Sequence, residues 1–147
     1  MSDGEPAVLG FRRVAATRFL TLERHVLVDP SGRWSVREVV RHPGSVVVIP
    51  WDGEKVALIE QYRHPAGRRI RELPAGKLDV AGEPPEETAR RECIEEAGLD
   101  PDILRRVHGC FTSPGFTDEF SHIYLAEGLR PVDRKPQGLE EEQSTLV

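Results

Sequence analysis

Cysteine is scarce: Cys93 and Cys110 are the only two in 147 residues, and they do not form a metal-knuckle spacing. That excludes a disulfide framework and suits a reducing cytoplasm, the expected location. No apolar run approaches the length of a membrane span, so no membrane partner is expected. The first residues, MSDGEPAV, are acidic and polar, unlike a signal peptide. A basic excess is missing as well. With 20 Lys and Arg against 25 Asp and Glu, the formal charge is −5, and the arginines are scattered among acids. Nucleic acid, which wants a basic face, is therefore not an expected partner. His25, His42, His64, His108 and His122 are dispersed, and no Ser-His-Asp or Cys-His set stands out.

What remains is one domain's worth of chain, 38% hydrophobic and 31% charged, enough to bury a core. Residues 1 to 10 read as a flexible leader. Phe19 to Asp29 and Arg33 to His42 flank Pro30-Ser31-Gly32 as a β-hairpin. Trp34, Val36 and Val40 share one parity opposite Arg33, Ser35, Arg37 and Arg41, the pattern of a sheet with one wet face. Ser45 to Pro50 is a continuous apolar run, a buried strand, and Lys55 to Tyr62 returns after the Asp52-Gly53 turn. Arg71 to Ala75 reads as a short strand. Pro84 to Ala97 is helical, with prolines only in its first turn and Gly98 as its cap. Val107 to Thr112 and Ser121 to Leu129 read as strands, and Arg130 to Glu142 as loop. The order predicts a mixed α/β (α+β) domain at 43–147, preceded over 1–42 by the leader and a small antiparallel sheet.

On a helix of 3.6 residues per turn, Glu92 and Glu96 fall one turn apart, with Glu95 beside them. Like charges so spaced repel. Taken alone, such a cluster is usually a solvated helix face. A hard divalent cation would relieve the repulsion, since magnesium takes carboxylate oxygens and keeps positions for water and phosphate. Arg91 is placed to pair with a carboxylate and hold its orientation. Ala89, Cys93 and Ala97 form a separate stripe that can pack on a sheet.

The surrounding pattern resembles the Nudix box. Gly76, a spacer, Glu83, seven residues, then Arg91-Glu92-Cys93-Ile94-Glu95-Glu96-Ala97-Gly98-Leu99 match its defining positions over 24 residues. The departures are a spacer one residue longer than usual and Cys93 at an aliphatic position. Gln61 to Pro65, Arg71 to Gly76, and Ser113 to Glu119 with Pro114 are similar to the segments flanking the box in ADP-ribose pyrophosphatases. The resemblance implies an α/β/α sandwich with a mixed sheet and Mg2+ (Mn2+ possible) as cofactor. It also implies a homodimer sharing its active sites. Glu92 and Glu96 would bind metal with the Ala75 carbonyl, Glu95 close by, and Arg91 would orient them. Arg63 would contact phosphate, and Glu72 would support the site or the terminal ribose. One of Glu140, Glu141 and Glu142 would be a further ligand or the general base; Glu141 is the choice, with Glu119 a rival. Trp34, Arg37 and Arg41 are candidates for the adenine, a cation or flat ring over its face. The domain of this family continues with a strand and a helix that these residues would lack beyond Ser144 to Val147.

The implied activity is hydrolysis of the pyrophosphate bond of ADP-ribose, or a related nucleoside diphosphate sugar, to AMP and ribose 5-phosphate. The alternatives are a nucleoside triphosphate or dinucleoside polyphosphate hydrolase, and a silent nucleotide-binding module.

Overall fold

Alternation of apolar and polar residues near the N-terminus produces an antiparallel sheet of β1 (Ala7–Ala16), β2 (Thr21–Val28) and β3 (Trp34–Arg41), in that order. The coordinates are a computed structural model that describes residues 4–133 and, as backbone, 141–146. The chain divides into two compact units, Met1–Gly44 with Phe111–Phe120, and Ser45–Cys110 with Ser121–Val147.

In the first unit the β2–β3 turn is closed by Asp29. Its carboxylate accepts from the Ser31 hydroxyl at 2.6 Å and from the Ser31 and Arg33 amides at 2.9 and 3.0 Å. These bonds, the Ser31 hydroxyl foremost, hold the Asp29 carboxyl down to about 2. Two sequence expectations are corrected here. The last four residues of the expected leader, Ala7–Gly10, are the start of strand β1, whose alternation is interrupted by register shifts between Val8 and Gly10 and between Arg13 and Ala15. Trp34 and Val36, opposite Val28 and Val26, lie on an exposed face rather than a core face, at 72% and 54% exposure. The opposite parity carries the buried pair Glu23 and His25, with Phe11 stacked on His25 at 5.1 Å. Segment Phe111–Phe120 belongs to this unit and is tied to β3. Val40 donates its amide to Phe116 at 2.7 Å and accepts from Asp118 at 3.3 Å.

The second unit is built on the apolar run. β4 (Ser45–Pro50) lies between β7 (Ala75–Lys77), antiparallel, and β9 (Phe120–Pro131), parallel, and β8 (Leu99–Phe111) closes the edge of this mixed sheet. A second sheet has β5 (Ala57–Arg63) between β6 (Arg68–Glu72) and β10 (Glu141–Leu146), both antiparallel to it. The helix α1 (Pro85–Glu92) packs over β4 and β7. Val46, Val48, Ala89, Cys93, Tyr124 and Ala126 form the core between helix and sheet. Each buried valine contributes roughly 1.5–3 kcal/mol of transfer free energy. Ala89 and Cys93 are fully buried, on the small-residue stripe read from the sequence. A small side chain there lets the helix sit close to the sheet. Burial pushes the Cys93 thiol up to about 12.

Three element readings differ. The strand expected from Val107 begins at Leu99, because Pro101 is tolerated on a strand at the edge of its sheet. The loop expected over 130–142 is strand at both ends, since β9 runs to Pro131 and β10 starts at Glu141. The helix does not run regularly to Ala97: Cys93–Ala97 is a π-helical turn, ended by Gly98 in the left-handed conformation at φ 68°. Among the described residues no helix is long and apolar enough to cross a membrane.

Candidate functional site

Four glutamates, one arginine and one buried threonine meet where α1 and its π-turn face β7. Glu83 lies just before the helix, followed by two prolines, the second opening the first turn; Glu86 and Glu87 favour the helix's positive end. Arg91, at the last turn, reaches in two directions. Its Nε and one terminal nitrogen donate to the two oxygens of Glu83, each at 3.1 Å. Its other terminal nitrogen donates to Glu92 at 2.7 Å and Glu95 at 3.1 Å. Thr88, fully buried, donates its hydroxyl to Glu83 at 2.7 Å.

The electrostatics follow from this fork. The Arg91 bonds, helped by Thr88, hold the Glu83 carboxyl below its ordinary range. Arg91 is in turn held more firmly protonated, chiefly by its bonds to Glu83. Charge-assisted bonds of this kind are the strong ones, and a planar guanidinium is suited to orienting several carboxylates at once.

Glu96 sits differently. It lies on the π-turn and reaches β7, where the Ala75 amide donates to its carboxylate at 2.8 Å. It is 5% exposed. Glu92 comes up against the neighbouring residue. A Cβ placed on Gly76 would lie 2.2 Å from the Glu92 carboxyl carbon, so the glycine leaves the space that this carboxylate fills. Two carboxylates thus border the backbone of Ala75 and Gly76, and the Arg91 guanidinium bonds three acids, Glu83, Glu92 and Glu95. Carboxylate and carbonyl oxygens suit a hard divalent cation. Among the described residues no three His, Cys, Asp or Glu side chains converge into a cage by themselves. The residues present fit such an ion.

The other sequence candidates are distributed as follows. Arg63 and Glu72, on β5 and β6, pair with one another at 2.7 and 2.8 Å. Trp34, Arg37 and Pro114 belong to the first unit. There Arg37 and Pro114 line a hollow of about 450 Å³ together with Phe111 and Phe116. Arg41 is engaged with Glu23 at 2.8 Å and Asp118 at 3.0 Å. Glu119, the rival base, accepts from the Thr112 hydroxyl at 2.8 Å. Glu141 opens β10 opposite Gln61, but its side chain lies outside the described residues, as do Glu140 and the side chain of Glu142. Sequence reasoning passed over Thr88. The signal was present, a hydroxyl residue within a helix whose apolar neighbours are core, but its partner lies before the helix and is set by the loop.

Comparison with known proteins follows the same residues. The NUDIX domain family profile matches residues 41–146. An ADP-ribose pyrophosphatase from Mycobacterium tuberculosis is 45% identical over 126 residues, 85% of this chain and 61% of that protein. A methanol dehydrogenase activator from Bacillus methanolicus is 45% identical over 140 residues, 95% of this chain and 75% of that protein. The crystal structure of an ADP compounds hydrolase superposes with a TM-score of 0.81 at 25% identity, covering 97% of this chain and 77% of that one. The chain thus spans about three fifths of the length of the first of these relatives.

Proposed function

The chain belongs to the NUDIX domain family, and we propose that it hydrolyses the pyrophosphate bond of ADP-ribose, or of a related nucleoside diphosphate sugar. The products would be AMP and ribose 5-phosphate. The observation that supports this best is the gathering of the Glu92 and Glu96 carboxylates on the backbone of Ala75 and Gly76, with Arg91 spanning Glu83, Glu92 and Glu95. The likeness to an ADP-ribose pyrophosphatase points to the substrate.

In this reading Glu92, Glu96 and the Ala75 carbonyl would hold Mg2+, or Mn2+ in its place. Such an ion supplies Lewis-acid polarisation of a phosphoryl oxygen and a bound water of lowered pKa. The protein's own residues do the rest. Arg91 restrains Glu92 and Glu95, so that the cluster does not collapse or splay when substrate arrives. Arg63, oriented by Glu72, presents a guanidinium to a phosphate. Glu141 accepts the proton of the attacking water as general base. Trp34, Arg37 and Pro114 are kept for the nucleoside end, Arg37 and Pro114 because they border one hollow with two phenylalanines.

We place the protein in the cytoplasm, in keeping with two unbridged cysteines, and as a homodimer. The exposed Trp34 and Val36 face supports the dimer, since an apolar sheet face of this kind is ordinarily covered. Sedimentation at micromolar concentration checks it: a species of twice the chain mass is expected.

The test of function is product analysis with ADP-ribose and Mg2+, on the native chain and on Glu96→Gln. The side-chain amide of the variant still offers an oxygen to the Ala75 amide, so the local fold is kept while the charge is lost. Release of AMP and ribose 5-phosphate that falls about 10²-fold or more in the variant is expected. A nucleoside monophosphate plus inorganic pyrophosphate from a triphosphate, with ADP-ribose untouched, would overturn the substrate class.

A further inference from the structure

We propose that Thr88 is a positioning residue for the metal-binding glutamates, acting through Glu83 and Arg91. The proposal rests on the reading that this helix holds a divalent cation, but not on the identity of the substrate. Thr88 is fully buried on the core side of α1, where a hydroxyl needs a partner. Its local option, the Pro84 carbonyl one turn back, is 3.4 Å away and weak. Its main partner is the Glu83 carboxylate at 2.7 Å, across the start of the helix.

That bond matters because of what Glu83 holds. Both Glu83 oxygens are taken by Arg91, and one of them also by Thr88. The fork fixes the plane of the guanidinium and leaves one terminal nitrogen to reach Glu92 and Glu95. A carboxylate held by Arg91 alone can rotate about its own chain, and the guanidinium turns with it. Thr88 supplies the third point of attachment from a backbone fixed by the helix and buried against the core. The path runs from a buried hydroxyl through two charged groups to a proposed metal ligand, the usual arrangement by which outer groups tune a metal site.

The experiment uses Thr88→Val, which keeps the volume and branching but removes the hydroxyl, and Thr88→Ser, which restores it. Binding of Mn2+ alone is followed by electron paramagnetic resonance on the full chain, with thermal melting and ADP-ribose turnover measured beside it. The expected result is a Mn2+ dissociation constant raised about tenfold in Thr88→Val and returned to within about twofold of the native value in Thr88→Ser. An unchanged constant in Thr88→Val overturns the proposal, whatever happens to its melting, because a purely structural role would lower stability without touching the ion. If Thr88→Val fails to fold, Thr88→Ala tests the same link: it removes the hydroxyl from Glu83 while adding no bulk to the helix. It should raise the constant similarly, and an unchanged value overturns the proposal. Absence of Mn2+ binding by the native chain overturns it too. Native binding with the Thr88→Val shift intact, but no turnover of ADP-ribose, supports the positioning role and sinks the substrate reading instead.

Discussion

Replacing Gly76 with alanine should disable the cluster with little cost to the fold. Gly76 is paired to Val46 within the sheet, so β7 cannot retreat. The added Cβ would stand 2.2 Å from the Glu92 carboxyl carbon and one of its oxygens, and 2.4 Å from its Cγ. Ordinary carbon contacts lie near 3.5–4.0 Å, so the Glu92 head must move by about 1.3 Å or more. What moves is the far end of a flexible side chain, so the stability loss should stay near 1 kcal/mol, the low end for overpacking. The consequence for chemistry is larger. Glu92 would leave its 2.7 Å bond to Arg91 and its place beside the backbone, and a displacement of that size can cost about 10²-fold in rate. The assay is kcat/KM for AMP release from ADP-ribose at saturating Mg2+, with the melting midpoint measured in parallel. Gly10→Ala is the control, since a Cβ at Gly10 meets nothing within 4 Å. A Gly76→Ala protein that folds and retains native kcat/KM would refute both the cradle and the place given to Glu92.

Arg91→Met should lower stability by about 2 kcal/mol, roughly 5–8 °C in melting midpoint, because three partly buried carboxylates lose their shared counter-charge; a midpoint within 1 °C or so of native would contradict this. Acid should weaken the same cluster. The Glu83 carboxyl is held below its ordinary 4.5 by Arg91 and then Thr88, so its stabilising contribution is full above that value and is lost as pH falls through the lower folded value. Melting midpoints measured downward from pH 5 should fall less steeply in Glu83→Gln than in the native chain. The cysteines should react unequally. Cys110 is exposed, whereas Cys93 is buried with its thiol pushed up to about 12, so a thiol reagent at pH 8 should titrate one group in the native protein and two after denaturation. Rapid reaction of both in the native state would mean that the helix–sheet core opens readily.

What could be read from the sequence was whatever depended on short-range pattern. Ser45 to Pro50 lacks polar alternation because its strand has neighbours on both sides and a helix above, so that Ser45, Val46, Val48 and Pro50 are buried and even Val47 and Ile49 are half-buried. The pairing of Arg91 with carboxylates was legible for the same reason: its partners on the helix are its next neighbour and the residue one turn on. The misses depended on context that periodicity does not carry. A register shift between Val8 and Gly10 interrupts the alternation, so the start of β1, Ala7–Gly10, read as the end of a leader. Pro101 ordinarily argues against a strand, and only an edge position, fixed by the order of the whole sheet, makes it acceptable. The exposure of Trp34 could not be read because parity states which residues share a face, not which face is covered. The π-turn had the most consequence. A regular helix would stack Glu96 over Glu92 as one of a pair of like charges; in the structure Cys93–Ala97 is a π-turn, and Glu92 is bonded by Arg91 and Glu96 by the Ala75 amide. The repulsion that on a regular helix would call for a cation is therefore partly met by the protein itself. The Glu92 carboxylate keeps its place beside β7 because position 76 is glycine, whose missing Cβ leaves the room that the carboxylate fills.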